Sequence, residues 1–326
     1  MKPADAAMTI PVVCLDLTDS LPRVIPLPRD GVVLALGNFD GVHVAHTALL
    51  KEAIRQKEAS PLLHGAGVFC FWKPSSDYVS GDVQHLTPLK EKLRLFAEAG
   101  LDFACFCDFT KIRHLRKDDF LGFLTDSLSC RTAVCGYNYR FGQGGQGTAS
   151  DLVTHFASFG GAAVLPAVQR DGLPVSSTRI RSLLLDGKPA EAAELLGHPY
   201  ALETTVRHGK HLGRVLGFPT VNQSFLPDAI IPSHGVYAVR CRTPYGWFAG
   251  VANVGVHPTV DEHARVNCET YLLGLNADLY GQSVRIEFLE FIRPEQRFGS
   301  PEQLTDAIRN DVRRVSDYFE RHPIVP

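Results

Sequence analysis

A doubly wound α/β domain with a parallel sheet, followed by a small antiparallel β-barrel and a closing helix, is the fold class the sequence predicts. Three observations carry it. Short apolar runs alternate strictly with helix-period segments through residue 168. Beyond residue 197 the pattern changes to strands cut by Gly and Pro at regular spacing. The stretch 300–320 is amphipathic at helical period. Alternation with short loops predicts parallel pairing, whereas evenly spaced short strands predict an antiparallel barrel.

The elements follow in order. "VVLALG" (32–37) reads as a strand and "HTALLKEAIRQKEA" (46–59) as a helix. "GVFCFW" (67–72) is a second strand, and "TPLKEKLRLFAEAG" (87–100) follows as a helix. "DFACFC" (102–107), "RKDDFLGFLTDSL" (116–128) and "TAVCG" (132–136) continue as strand, helix and strand. A glycine-rich turn, a helix near 149–159 and the strand "AAVLPAV" (162–168) complete the series. One helix is expected over "SSTRIRSLLLDGKPAEAAELLG" (176–197). The barrel strands are then read in "YALETTVRHG", "HGVYAVRCRT", "GWFAGVANVG", "NCETYLLGL" and "VRIEFLEFIR". Ser300 is a plausible N-cap for the last helix. The domains are placed at 1–186 and 187–326.

At 326 residues and 45% hydrophobic content, two such domains can each bury a core. The 33 basic side chains nearly cancel the 35 acidic ones, so there is no electrostatic footprint for nucleic acid. Cysteines at 14, 70, 105, 107, 130, 135, 241 and 268 form no C-x-x-C, and several lie in strand-like runs. They read as buried reduced thiols rather than zinc ligands or disulfides. Neither a secretory leader nor an apolar run of membrane-spanning length is evident, so a cytoplasmic location with no membrane partner is expected.

"GNFDGVHVAH" (37–46) closes the first strand and opens a helix. Gly37 and Gly41 suit a tight turn with backbone close to a ligand, and His43 and His46 are three apart. A helix N-terminus offers free N–H groups to polyphosphate, and two imidazoles there could stabilise attack on an α-phosphorus. Structural histidines or a zinc pair also fit these residues. "SSTRIRS" (176–182) adds hydroxyls that cap a helix and donate to phosphate, with arginines able to fork onto its oxygens. A well-capped helix is the plainer alternative. "HGKHLGRVLGFPTVNQ" (208–223) ends with Thr220 and Asn222 two apart, on one side of an extended segment. A hydroxyl and an amide oxygen suit Mg²⁺ and phosphate, and a polar β-turn is the competing reading.

The order "GNFDGVHVAH … GYNYRFGQGGQG … SSTRIR" resembles the adenylyltransferase module of bacterial bifunctional riboflavin kinase/FAD synthetases, whose fold is a Rossmann-like nucleotidyltransferase. "LGFPTVN", "GVYAV", "GVANVGVHPTV", "CETYLLGL" and "DLYGQSVRIEFLEFIRPEQRF" resemble, in order, the riboflavin kinase module of that family. The resemblance implies that His43 and His46 contact ATP phosphates, within a turn made by Gly37, Asn38, Phe39, Asp40 and Gly41. It implies a second phosphate clamp at Ser177, Thr178 and Arg181, and flavin contacts at Asn138 and Arg293. In the kinase half, Gly209, Gly213 and Gly217 belong to the ATP loop. There Thr220 and Asn222 hold Mg²⁺–ATP, and Glu269 is the general base for the ribityl hydroxyl.

Two departures stand out. Ala45 occupies the family's glycine between the histidines, and no histidine follows the strand in "FCFWKPSSDYV" (69–79), where Lys73 is either a substitute phosphate partner or, on the plainer reading, an exposed lysine. The expected function is conversion of riboflavin to FMN and of FMN to FAD, each with ATP and Mg²⁺, by a monomer or weak homo-oligomer. The alternative is a riboflavin kinase whose first domain adenylylates weakly or only binds nucleotide or flavin. A flavin sensor or carrier without turnover is the third reading.

Overall fold

The structure is a computed structural model, and it describes residues 10–15, 31–72, 84–209, 213, 216–256 and 266–324. Lys73 and much of the segment after it lie outside the described residues. The chain divides into two compact units, Met1–Ser177 and Thr178–Pro326.

The first unit is built on six parallel strands. They are β1 (Val12–Leu15), β2 (Val32–Leu36), β3 (Gly65–Phe71), β4 (Phe103–Cys107), β5 (Cys130–Gly136) and β6 (Ala162–Leu165). Their order across the sheet is β1-β4-β3-β2-β5-β6. Buried on both faces, β2 and β4 read as unbroken apolar runs, which is the parallel-sheet signature. Helices α1 (Val44–Ala59), α2 (Leu89–Glu98), α3 (Lys117–Gly122) and α4 (Ala149–Phe156) make the crossovers. Val32, Leu34 and Leu36 of β2 point into one core with Phe120, Leu124 and Leu152. Val33 and Ala35 point into the other with Leu50, Phe96 and Phe106. From β2 the chain runs outward through β3 and β4, then returns to the far side of β2 at β5. The order therefore reverses between β2 and β5, the place where open α/β sheets bind ligands.

Over 176–197 the structure departs from the single expected helix. It forms α5 (Ser177–Leu185) and α6 (Pro189–Leu196). Gly187 takes φ 71° between them, and Pro189 opens α6 at a position where its missing N–H costs nothing.

The second unit is one antiparallel sheet of β7 (Tyr200–Thr205), β8 (Thr220–Ser224), β9 (Gly235–Thr243), β10 (Gly246–Val256), β11 (Val266–Leu272) and β12 (Ser283–Pro294). The order β7-β12-β9-β10-β11-β8 curls until its two edges approach. Gln223 ties them: its amide donates to the carbonyls of Thr204 (2.7 Å) and Val284 (2.8 Å), while the Arg207 N–H reaches the Asn222 carbonyl (2.9 Å). Satisfying edge groups in this way is what closing a sheet accomplishes. The closing helix α7 (Pro301–Arg321) has Ser300 as N-cap, accepting from the Gln303 N–H. Its Val315 packs on Val236, Ala238, Val251 and Ile292.

All seven cysteines whose side chains are described are free and buried. Burial pushes the thiols of Cys70, Cys130 and Cys268 up to about 12.

Candidate active sites

Both loops that leave the β2–β5 switch point carry motif residues. After β2 the chain enters Gly37–Gly41, with Phe39 at φ 51°, Gly41 at φ 86° and Val42 at φ 41°. A β-branched residue in that region is strained, and such strain persists only where the surroundings over-determine it. Here they do. The Asp40 carboxylate is buried and accepts from the backbone N–H groups of Leu86 (3.0 Å) and Thr87 (3.3 Å). Phe39 is wholly buried, edge-on to Phe96 at 5.6 Å. Gly37 lies under that ring, where a Cβ would come within 3.3 Å.

The turn delivers His43 to the N-cap of α1, where its Nδ1 accepts from the His46 backbone N–H at 3.3 Å. A neutral His43 ring then carries its proton on Nε2. The two imidazoles stack 3.6 Å apart at 12°. Burial, then the His43 and Lys92 charges, hold His46 well below its ordinary value of 6.5, and its Nδ1 is buried without a partner among the described residues. Ala45 sits in the first turn of α1 with helical backbone, so no glycine conformation is needed there.

Ser177, first residue of α5, donates its hydroxyl to the Asp40 carbonyl at 2.8 Å, joining the third motif to the first. Thr178 and Arg181 follow on the same helix. Gly136 ends β5, and Asn138 follows exposed in the next turn, within 3.4 Å of where a Gly136 Cβ would be.

In the second unit, the registers of β8, β10 and β11 bring three polar side chains into line. Glu269 stands opposite Asn222 on one side and Asn253 on the other. Its neighbours Cys268 and Thr270 are fully buried, so the half-buried Glu269 faces away from the barrel core. Thr220 lies two residues before Asn222 on that same face, and it helps line a cavity of about 370 Å³ with Val206, Pro219, Asn276, Asp278 and Tyr280. Gly209 passes so close to Asn222 that a Cβ would lie 2.6 Å from its amide carbon. At Gly213 a Cβ would strike the Phe218 carbonyl, and Gly217 takes φ 86°.

Arg293 is tied elsewhere. Its Nε and Nη2 donate to the buried Asp311 of α7 at 3.0 and 2.8 Å, and Nη1 donates to the Pro294 carbonyl.

Comparison with known proteins is decisive. A riboflavin kinase (Flavokinase) family model matches residues 196–319, and an FAD synthetase family model matches residues 26–179. The chain is 32% identical over 293 residues to a bifunctional riboflavin kinase/FMN adenylyltransferase of Listeria monocytogenes, covering 89% of this chain and 93% of that one. It is 35% identical over 303 residues to the enzyme of that name from Escherichia coli K12, covering 90% and 94%.

The chain belongs to the bifunctional riboflavin kinase/FMN adenylyltransferase family.

Among solved structures, one described as a macrolide-efflux protein from Streptococcus pneumoniae matches with a TM-score of 0.84 at 28% identity, covering 94% of this chain and 99% of that chain. Among the described residues, no helix is long and apolar enough to cross a membrane. Within this family fold, three features escape sequence reasoning. Asn253 is set beside Glu269 only by the β10–β11 register. Asn276 and the "DLY" residues Asp278 to Tyr280 wall the cavity, a placement that the resemblance of that stretch to the kinase module did not assign. Lys92 is buried under the Gly37–Gly41 turn, and its sole sequence signal is a lysine four residues from Phe96 on a core-facing helix stripe.

Proposed function

We propose that the second unit transfers the γ-phosphoryl group of ATP to the ribityl 5′-hydroxyl of riboflavin, giving FMN and ADP. In the same reading the first unit joins FMN to the AMP moiety of a second ATP, giving FAD and pyrophosphate. The placement of Glu269 directly opposite Asn222 supports the kinase half best. A carboxylate beside a ligand-type amide can take the proton of a primary alcohol as that alcohol attacks phosphorus.

Oxygen donors that are uncharged suit a hard divalent cation whose remaining ligands are phosphate oxygens. Thr220 and Asn222 supply such donors, and Gly209 leaves the Asn222 amide the space a Cβ would fill. Among the described residues, no cluster of three His, Cys, Asp or Glu offers an all-protein alternative. In this proposal the ion is Mg²⁺, held by Thr220 and Asn222, and it neutralises phosphate charge when bound. Gly209, Gly213 and Gly217 belong to the ATP side of this site, where Gly209 and Gly213 come too close to Asn222 and Phe218 for a side chain. Arg293 contributes to the flavin side through the β12 segment it anchors to α7.

For adenylylation, the His43 Nε2–H and the α1 N-terminus offer donors to the phosphate chain as the FMN phosphate attacks the α-phosphorus. His46 adds a second imidazole to that cluster. Ser177, Thr178 and Arg181 provide the other clamp, and Asn138 lies on the flavin side. Ala45 in helical backbone gives no conformational reason for a disabled first unit, which favours two activities over a kinase with an idle partner. Incubation with riboflavin, ATP and Mg²⁺ tests this directly: FAD is expected, and FMN that never proceeds to FAD would support the idle-partner reading.

A further inference from the structure

Helix α2 presents Lys92 and Phe96, four residues apart, to the Gly37–Gly41 turn. Phe96 meets the Phe39 ring, and Lys92 donates its ammonium to the Asn38 carbonyl at 3.2 Å. Lys92 is only 4% exposed. A buried ammonium ordinarily pairs with a carboxylate, because stripping its water is costly. Among the described residues, no carboxylate pairs with Lys92, and the nearby Asp40 carboxylate accepts from the Leu86 and Thr87 N–H groups. The ammonium is thus held through a backbone carbonyl of the turn rather than in a direct salt bridge.

We propose that Lys92 is a positioning residue of the adenylylation site: it anchors the Asn38 carbonyl and places a fixed positive charge beneath the turn that receives the ATP phosphates. The inference rests on assigning that turn to adenylylation. The α1 N-terminus alone offers about half a charge. Lys92 adds a full one, fixed on the protein side of a turn that also holds the buried Asp40 carboxylate. Because the ammonium is fixed by α2, it costs no reorganisation as charge develops on the phosphate oxygens.

The same charge acts on His46. The groups that face this imidazole are His43 at the α1 N-cap, the Phe39 ring of the turn and Lys92 of α2. Cys70 of β3 lies near Lys92, but burial pushes its thiol up to about 12, so it brings no charge. After burial, His43 and Lys92 are the two influences that disfavour protonation of His46. A neutral His46 and a cationic Lys92 divide the work: one can donate a hydrogen bond, the other supplies charge.

The test compares the full-length protein with Lys92→Met and Lys92→Arg. Steady-state adenylylation of supplied FMN and NMR titration of the His46 imidazole are measured on each. Lys92→Met is expected to raise the ATP KM of adenylylation about tenfold and to shift the His46 midpoint upward by about one pH unit. Lys92→Arg, which keeps the charge, is expected to hold both within about threefold and about 0.3 unit of the parent. The proposal is overturned if Lys92→Met leaves the ATP KM unchanged, if the rate falls with no movement of the His46 midpoint, or if Lys92→Arg is as impaired as Lys92→Met. A parallel His46→Ala variant separates this from the underlying assignment: full adenylylation in that variant removes the site itself, whatever the lysine series shows.

Discussion

Asn222 and Glu269 stand directly opposite each other across β8 and β11. Opposed residues in an antiparallel pair hold their Cβ atoms about 4.5–5.5 Å apart, so the amide and the carboxylate share one small volume. Asn253 takes the same position on the other flank, and Gly209 closes over Asn222 from the preceding loop. The chemistry proposed for this face depends on that geometry.

Gly209→Ala tests the close approach. Its Cβ would lie 2.6 Å from the Asn222 amide carbon, so the amide or the loop must move. Kinase kcat/KM for ATP is expected to fall at least about tenfold, or about 1.4 kcal/mol of transition-state stabilisation. Adenylylation of supplied FMN is expected to be unchanged, and steady-state assays of both reactions on the same preparation check the contrast.

The Arg293–Asp311 pair predicts a stability effect. Removing the carboxylate leaves the part-exposed Arg293 guanidinium without its main partner, which costs about 1–3 kcal/mol. Asp311→Ala is therefore expected to lower the denaturant midpoint of the second unit, since Asp311 is 3% exposed and accepts a two-pronged contact. Equilibrium denaturation of parent and variant measures it. An unchanged midpoint would remove Arg293 from the role of anchor.

A pH dependence follows from His46, which burial, His43 and Lys92 hold well below its ordinary value of 6.5. Between the folded value and about 6.5, the unfolded chain binds more protons than the folded one, so stability rises with pH. As pH falls from about 6.5, the parent is expected to lose stability relative to His46→Gln, by at most about 1.4 kcal/mol per pH unit. Thermal unfolding of the two proteins at pH 7.5 and 5.5 checks the sign.

Much of this was legible in the sequence because local patterns dictate it. Apolar runs too short for helices, set between helix-period segments, forecast β2 to β6, and the turn glycines forecast the barrel hairpins. The edge strand β1 went unread, since "VVCL" is only four residues long and pairs with the distant β4. The break at Gly187 was written in "DGKP", but helical period on both sides masked it. Asn253 and Lys92 needed long-range information. The β10–β11 register places the first, and the packing of α2 on a turn 54 residues earlier buries the second against the usual fate of a helical lysine. Ala45, an evident departure in the sequence, proves to lie in ordinary helical backbone.

The central claim is that two chemistries reside in two units of one chain, and paired variants address it most directly. Glu269→Gln and His46→Ala are each incubated with ATP and Mg²⁺, once with riboflavin and once with FMN, and the flavins are separated by chromatography. Glu269→Gln is expected to leave riboflavin unconverted, with a rate loss of about 10²–10⁴, while still turning supplied FMN into FAD. His46→Ala is expected to convert riboflavin and stop at FMN. Near-parental FMN formation by Glu269→Gln, or near-parental FAD formation by His46→Ala, would contradict the account.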